Sequence, residues 1–151
     1  MQLLASADPS REIVTELVRL TGGDPLWVGL YADSLWDLKR RGMTLRPSDL
    51  QDTPPGLRGF FDRWLADQVA LWGERRPLSE RAIQHVLAVL AAALGPLRND
   101  ELRSMMERSF GQWSWSLPDT LAALERFVRG DGVVTGYTFS HPRLAEFFGS
   151  G

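Results

Sequence analysis

Apolar residues recur at helical spacing through most of the chain. Ile13, Leu17 and Leu20 share one face and Val14 and Val18 widen it, which predicts a helix over residues 10–21. Ser10 or Asp8 can cap it, with Pro9 in its first turn. Gly22 and Gly23 end it, because glycine takes the left-handed C-terminal conformation without strain. Asp24 and Pro25 are a good cap and first residue for a second helix, reaching about Arg40, with Trp27, Leu30, Tyr31, Ser34, Leu35 and Leu38 inward. Lys39, Arg40 and Arg41 suit its C-terminal dipole end, and Gly42 stops it. Pro47, Pro54, Pro55 and Gly56 make residues 43–56 a connector, in which Leu45 and Leu50 tether a short turn. A boundary there gives two domains, 1–53 and 54–151.

Helical spacing returns over residues 57–72, with Leu57, Phe60, Phe61, Trp64, Leu65, Gln68, Val69 and Trp72 on the apolar face. Ser79 is placed to cap a helix to about Leu94 that is apolar at almost every position after His85, so it reads as buried nearly all round and central to its domain. Gly95 and Pro96 break it. Asn99 caps a short helix over 100–109, with Leu102, Met105 and Met106 inward, and a loop with Trp113 and Trp115 follows. Leu121, Leu124, Phe127 and Val128 predict a helix over 118–129. Residues 133–139 read as two short strands turning at Thr135-Gly136, and a last helix runs from Pro142 to Gly149. The fold class is therefore mainly α: a helical subdomain, then a domain that from Ser79 onward reads three helices, a β-hairpin and a helix, the order of a winged-helix domain.

With 151 residues, 44% apolar and 24% charged, the chain has room for two small cores and no signature of disorder. There is no cysteine, hence no disulfide and no thiolate metal site, and the expected compartment is the cytoplasm. The longest apolar run is too short to cross a bilayer, so no membrane partner is expected. Net charge is −2, and from Arg75 onward arginines only about balance acids, which argues against duplex DNA as a partner.

Two segments carry a resemblance. Thr21-Gly22-Gly23-Asp24-Pro25-Leu26-Trp27-Val28 resembles the Gly-x-Pro-Leu motif at the start of the lid helix in STAND-class signalling ATPases, including the NACHT and plant resistance-protein branches. Tyr137-Thr138-Phe139-Ser140-His141-Pro142 resembles the aromatic-x-Phe-x-His segment that closes the winged helix of bacterial members. Between them, Pro54-Pro55-Gly56-Leu57 with Phe60 and Phe61 looks like the junction where that winged helix begins. The resemblance covers essentially the whole chain. It implies that Pro25 packs on the adenine of bound ADP or ATP and that His141 contacts the β-phosphate of ADP, holding a closed, inactive state. It also implies a role in bacterial defence or conflict signalling, and a parent that oligomerises on activation.

The phosphate-cradling Gly-x-x-x-x-Gly-Lys-Ser/Thr loop is absent, and no acidic strand end is available for magnesium. The chain is accordingly expected to be a non-enzymatic segment, with no cofactor of its own. Its expected partners are an upstream P-loop NTPase core and downstream sensor repeats of the same parent chain. The abrupt Gly149-Ser150-Gly151 end fits a segment boundary. Other readings stay open. A DNA-binding winged helix has Arg126 and Arg129 against Asp119 and Glu125 on its candidate recognition helix, and no basic residue over 133–139. A protein-interaction domain would use Trp113 and Trp115. His141 can cap the last helix without any ligand, a helix-start proline such as Pro25 needs none, and His85 reads as a core histidine. Ser140, His141 and Asp131 supply the residue types of a hydrolytic triad with no motif to fix their geometry.

Overall fold

Helix α1 (Pro9–Thr21) and helix α2 (Pro25–Arg40) are joined by the Gly22-Gly23 turn in a computed structural model that describes residues 9–72, 76–110 and 116–150. A short helix α3 (Ser48–Gln51) and a long helix α4 (Gly56–Trp72) follow. The chain divides into two compact units after Trp64, within α4. In the first unit, α1 packs against α2 and α3 around Leu20, Leu30, Tyr31, Leu50, Phe60 and Trp64, all buried. The Tyr31 and Phe60 rings meet edge to face, centroids 4.9 Å apart.

Val14 and Val18 were expected to widen the buried face of α1, but they are 59% and 58% exposed. The inward stripe of α1, which packs against α2 and α3, is narrower than expected and ends on fully buried Leu20.

The second unit is built on α5 (Arg76–Ala92), with α6 (Asn99–Phe110), α7 (Leu117–Ala123), the strand β2 (Thr138–Phe139) and α8 (Pro142–Gly149) all packed against it. Helix α5 starts at Arg76, ahead of the expected cap at Ser79, since Pro77 fits a first turn whose N–H groups have no partner within the helix. Its burial is one-sided. Ala82, Ile83, Val86, Leu87 and Leu90 are buried while Ala88 and Ala92 are exposed, so the small residues mark a solvent face within the apolar run. His85 is half-buried on the same helix. Met105 on α6 is 44% exposed beside fully buried Leu102 and Met106.

The element after α7 departs from expectation. The helix anticipated over 118–129 stops at Ala123, and Val128–Arg129 form strand β1. Leu124, Phe127 and Val128 are buried at a spacing that a helix would share. The backbone there is instead used across the sheet: Val128 pairs with Phe139, Arg129 with Thr138, and the Ser140 N–H donates to the Phe127 carbonyl at 2.8 Å. The hairpin thus exists, but its strands flank residues 130–137 rather than meeting at Thr135-Gly136. The reason is Asp131. Its carboxylate accepts from the backbone N–H groups of Val133, Val134 and Thr135 at 2.9, 2.8 and 3.1 Å, curling a segment whose valines would otherwise favour a strand. A further antiparallel bridge joins Leu97, between α5 and α6, to Tyr137. The returning segment 137–139 therefore lies between Leu97 on one side and β1 on the other.

Trp113, Trp115 and Arg75 lie outside the described residues. No helix among the described residues is long and apolar enough to cross a membrane.

Candidate functional site

The two positions singled out by the sequence, Pro25 and His141, both sit at helix starts, one in each unit. Around Pro25 the chain is held tightly. Gly22 and Gly23 adopt φ of 58° and 77°, left-handed values that side-chain-bearing residues avoid. The Thr21 hydroxyl donates to the Leu17 carbonyl at 2.7 Å and accepts from the Gly23 N–H at 3.1 Å. Asp24 then caps α2, its carboxylate accepting from the Leu26 N–H at 3.0 Å and its carbonyl from the Val28 N–H at 2.9 Å. This turn fixes Pro25 as the first helical residue and leaves it exposed. What it offers is a rigid apolar ring on a preorganised backbone.

His141 is the N-cap of α8, with extended φ and ψ of −147° and 141°. Its Nδ1 accepts from the Arg143 N–H at 3.2 Å, and its carbonyl accepts from Leu144 N–H at 3.1 Å. A neutral imidazole whose Nδ1 accepts carries its proton on Nε2, so the half-buried ring retains one donor. That donor sits where the helix dipole favours negative charge. Capping and anion contact are thus compatible, since they use opposite nitrogens.

The residue types of a hydrolytic triad do not form one. Ser140 Oγ donates to the Arg126 carbonyl at 3.1 Å, and the Asp131 carboxylate is occupied by the loop it curls. His141 Nδ1 is an acceptor, whereas a triad needs an N–H there aimed at the acid. Asp131 is held down to about 2 from an ordinary 3.8, first by the Val133 N–H and then by those of Thr135 and Val134. A carboxylate so stabilised is a weak base. Among the described residues no three His, Asp or Glu side chains gather as a metal site.

Sequence reasoning missed one feature of the first unit. Arg19 donates to the carbonyls of Leu50, Gln51 and Thr53, at 3.0, 3.2 and 3.3 Å, and Arg63 donates to the Asp49 carbonyl and to the Thr53 hydroxyl. The connector is thereby tied down by two guanidinium groups from α1 and α4. Nothing at the sequence level distinguishes these arginines from solvated ones on a helix surface.

No family model, no curated protein and no solved structure matches the chain.

Proposed function

We propose that this chain is the regulatory lid and winged-helix segment of a STAND-class signalling ATPase, closing over ADP in the inactive state and rotating on activation. The observation that carries the reading is the pairing of Leu97 with Tyr137 beside the β1–β2 ladder. In a winged helix the segment between the first two helices pairs with the returning strand of the hairpin, and α5, Leu97, α6, α7, β1 and β2 follow that order. His141 heads the helix immediately after β2, as the motif requires. The two candidate positions suit a purine nucleotide chemically. The exposed ring of Pro25 matches an adenine face, and Nε2–H of His141 matches a phosphate oxygen. The nucleotide and its magnesium would be held mainly by the upstream core, with these two residues adding contacts that exist only in the closed state.

The test uses the parent protein and separates the two jobs of His141. A hydrogen bond to a charged group contributes roughly 1.5–3 kcal/mol, which is about a ten- to hundredfold change in the closed-to-open ratio. His141→Ala removes both the cap and the phosphate donor. His141→Ser keeps a capping oxygen but cannot reach the phosphate. Both variants should release ADP faster by about that factor and raise ligand-independent signalling, while only His141→Ala melts earlier. If His141→Ser holds ADP as long as wild type does, His141 is a cap and the proposed contact is wrong.

A further inference from the structure

Helix α2 is apolar on both sides. Its inner side carries the buried Leu30 and Tyr31. Its outer side carries Pro25, Val28, Gly29, Ala32 and Trp36, which at 3.6 residues per turn share an arc of roughly 100°. All of them are exposed, Val28 by 42% and Trp36 by 60%. A surface helix ordinarily turns polar residues to solvent, and a helix apolar all round is ordinarily buried. Along this arc no charge appears before Lys39.

The stripe is complementary to itself. Its large rings, Pro25 and Trp36, stand at its ends, and its small residues, Gly29 and Ala32, stand between them. A Cβ built on Gly29 meets nothing within 4 Å, so the centre is open to an approaching helix. Two such helices crossing antiparallel set Pro25 of each copy against Trp36 of the other, and Gly29 of each against Ala32 of the other. That exchange of partners is what a two-fold axis demands. Small residues at the crossing let helix axes approach to the near end of the about 8–10 Å range. Lys39 Nζ lies 5.6 Å from the Trp36 ring centroid, a cation–π contact that steadies the indole.

Charge sets the direction. Lys39, Arg40 and Arg41 cluster at one end, whereas Asp24 is the only charged residue over 22–32. Arg40 is partly offset by Asp37, which it contacts. Parallel pairing would set the basic ends of both copies side by side. Antiparallel pairing sets each basic end against the Asp24 end of the other copy and opposes the two helix dipoles.

We propose that the outer face of α2 is an interface between two copies of this chain, crossing antiparallel at Gly29 and Ala32. One helix face per copy is small against the about 1,200–2,000 Å² of a stable interface, so the dimer is weak and depends on concentration. The inference stands on α2 alone and does not depend on a nucleotide contact of Pro25. Pro25 cannot face a nucleotide and a second copy together, so the two uses belong to different states.

Sedimentation velocity of the full chain over about 10–500 μM tests it, and the chain should pass from monomer toward dimer with a Kd of about 100 μM. Ala32→Glu places a charge at the crossing on an exposed position where glutamate is a good helix former. It should stay monomeric throughout and melt at the wild-type temperature. Trp36→Ala should weaken association by about tenfold or more. Direction is read from a nitroxide on Arg40→Cys, which is site-specific because the chain has no cysteine. Antiparallel crossing holds the two labels about 30 Å apart, and parallel pairing brings them within about 15 Å. A wild-type chain that stays monomeric, a dimer that survives Ala32→Glu, or the short label separation would overturn the proposal.

Discussion

Asp131 shows how one side chain redirects a segment. Its carboxylate replaces the ladder partners that Val133, Val134 and Thr135 would need in a strand, and the Thr135 hydroxyl adds a fourth bond at 3.3 Å. The valines it displaces are left 66% and 85% exposed at the loop tip. Because the folded value of about 2 lies below 3.8, the ionised group contributes fully above about pH 4 and loses that contribution as pH falls from 3.8 toward 2. We predict that the amides of residues 133–135 lose protection within that window while those of α5 do not, measured by amide NMR across an acid titration. Asp131→Ala should show the unprotected loop at every pH. The sequence reading missed this because valine and threonine are strand formers and an aspartate two residues upstream looks like ordinary turn punctuation. Arg19 and Arg63 were illegible for a related reason: an arginine's acceptor is set by tertiary approach, and no local spacing encodes it.

Elements were legible where the period was long and the ends were chemically marked. Helices α1, α2 and α4 carry three or more turns of apolar repeat, and the bracket of Gly22-Gly23 and Asp24-Pro25 fixes a boundary to within a residue. Cap chemistry accounts for this, and it has a measurable size. Asp24→Ala, which removes the acceptor for the Leu26 N–H, should destabilise the first unit by about 1 kcal/mol in chemical denaturation, and Asp24→Ser should restore most of it. Equal stability of the alanine variant would mean that Pro25 alone sets the helix start. Short elements were less legible. At α7 and β1 the apolar spacing of Leu124, Phe127 and Val128 suits a continuing helix, and only the partner at Phe139 decides for the strand. Helix α3 lay hidden in a proline-rich connector, although Leu45 and Leu50 had marked a tethered turn there. Of the candidate site, the helix starts at Pro25 and His141 were readable, whereas which imidazole nitrogen caps the helix needed the backbone geometry.

At the scale of the whole molecule, charge and shape argue together. The exposed positions of α7 are Pro118, Asp119 and Ala122, followed by Glu125, and the loop tip between β1 and β2 carries two valines and no cation. With a net charge of −2 these positions offer little positive charge to phosphates, and weak duplex binding is the expected outcome. Fluorescence anisotropy with mixed-sequence duplex at physiological salt should give affinity no tighter than about 10 μM, and salt-sensitive binding well below that would favour a DNA-reading role. The packing of the second unit has a further consequence. Its central helix, α5, lies against its last, α8, where Leu144 is fully buried and Phe148 stacks on Phe139 with centroids 5.6 Å apart. Within this unit α5 is translated before α8, so the part of α5 that α8 covers stays exposed until α8 is made, although α6 and α7 can already pack on the rest. Closure of this core waits for the final turn of helix to leave the exit tunnel, and until then the nascent chain presents a greasy helix to chaperones.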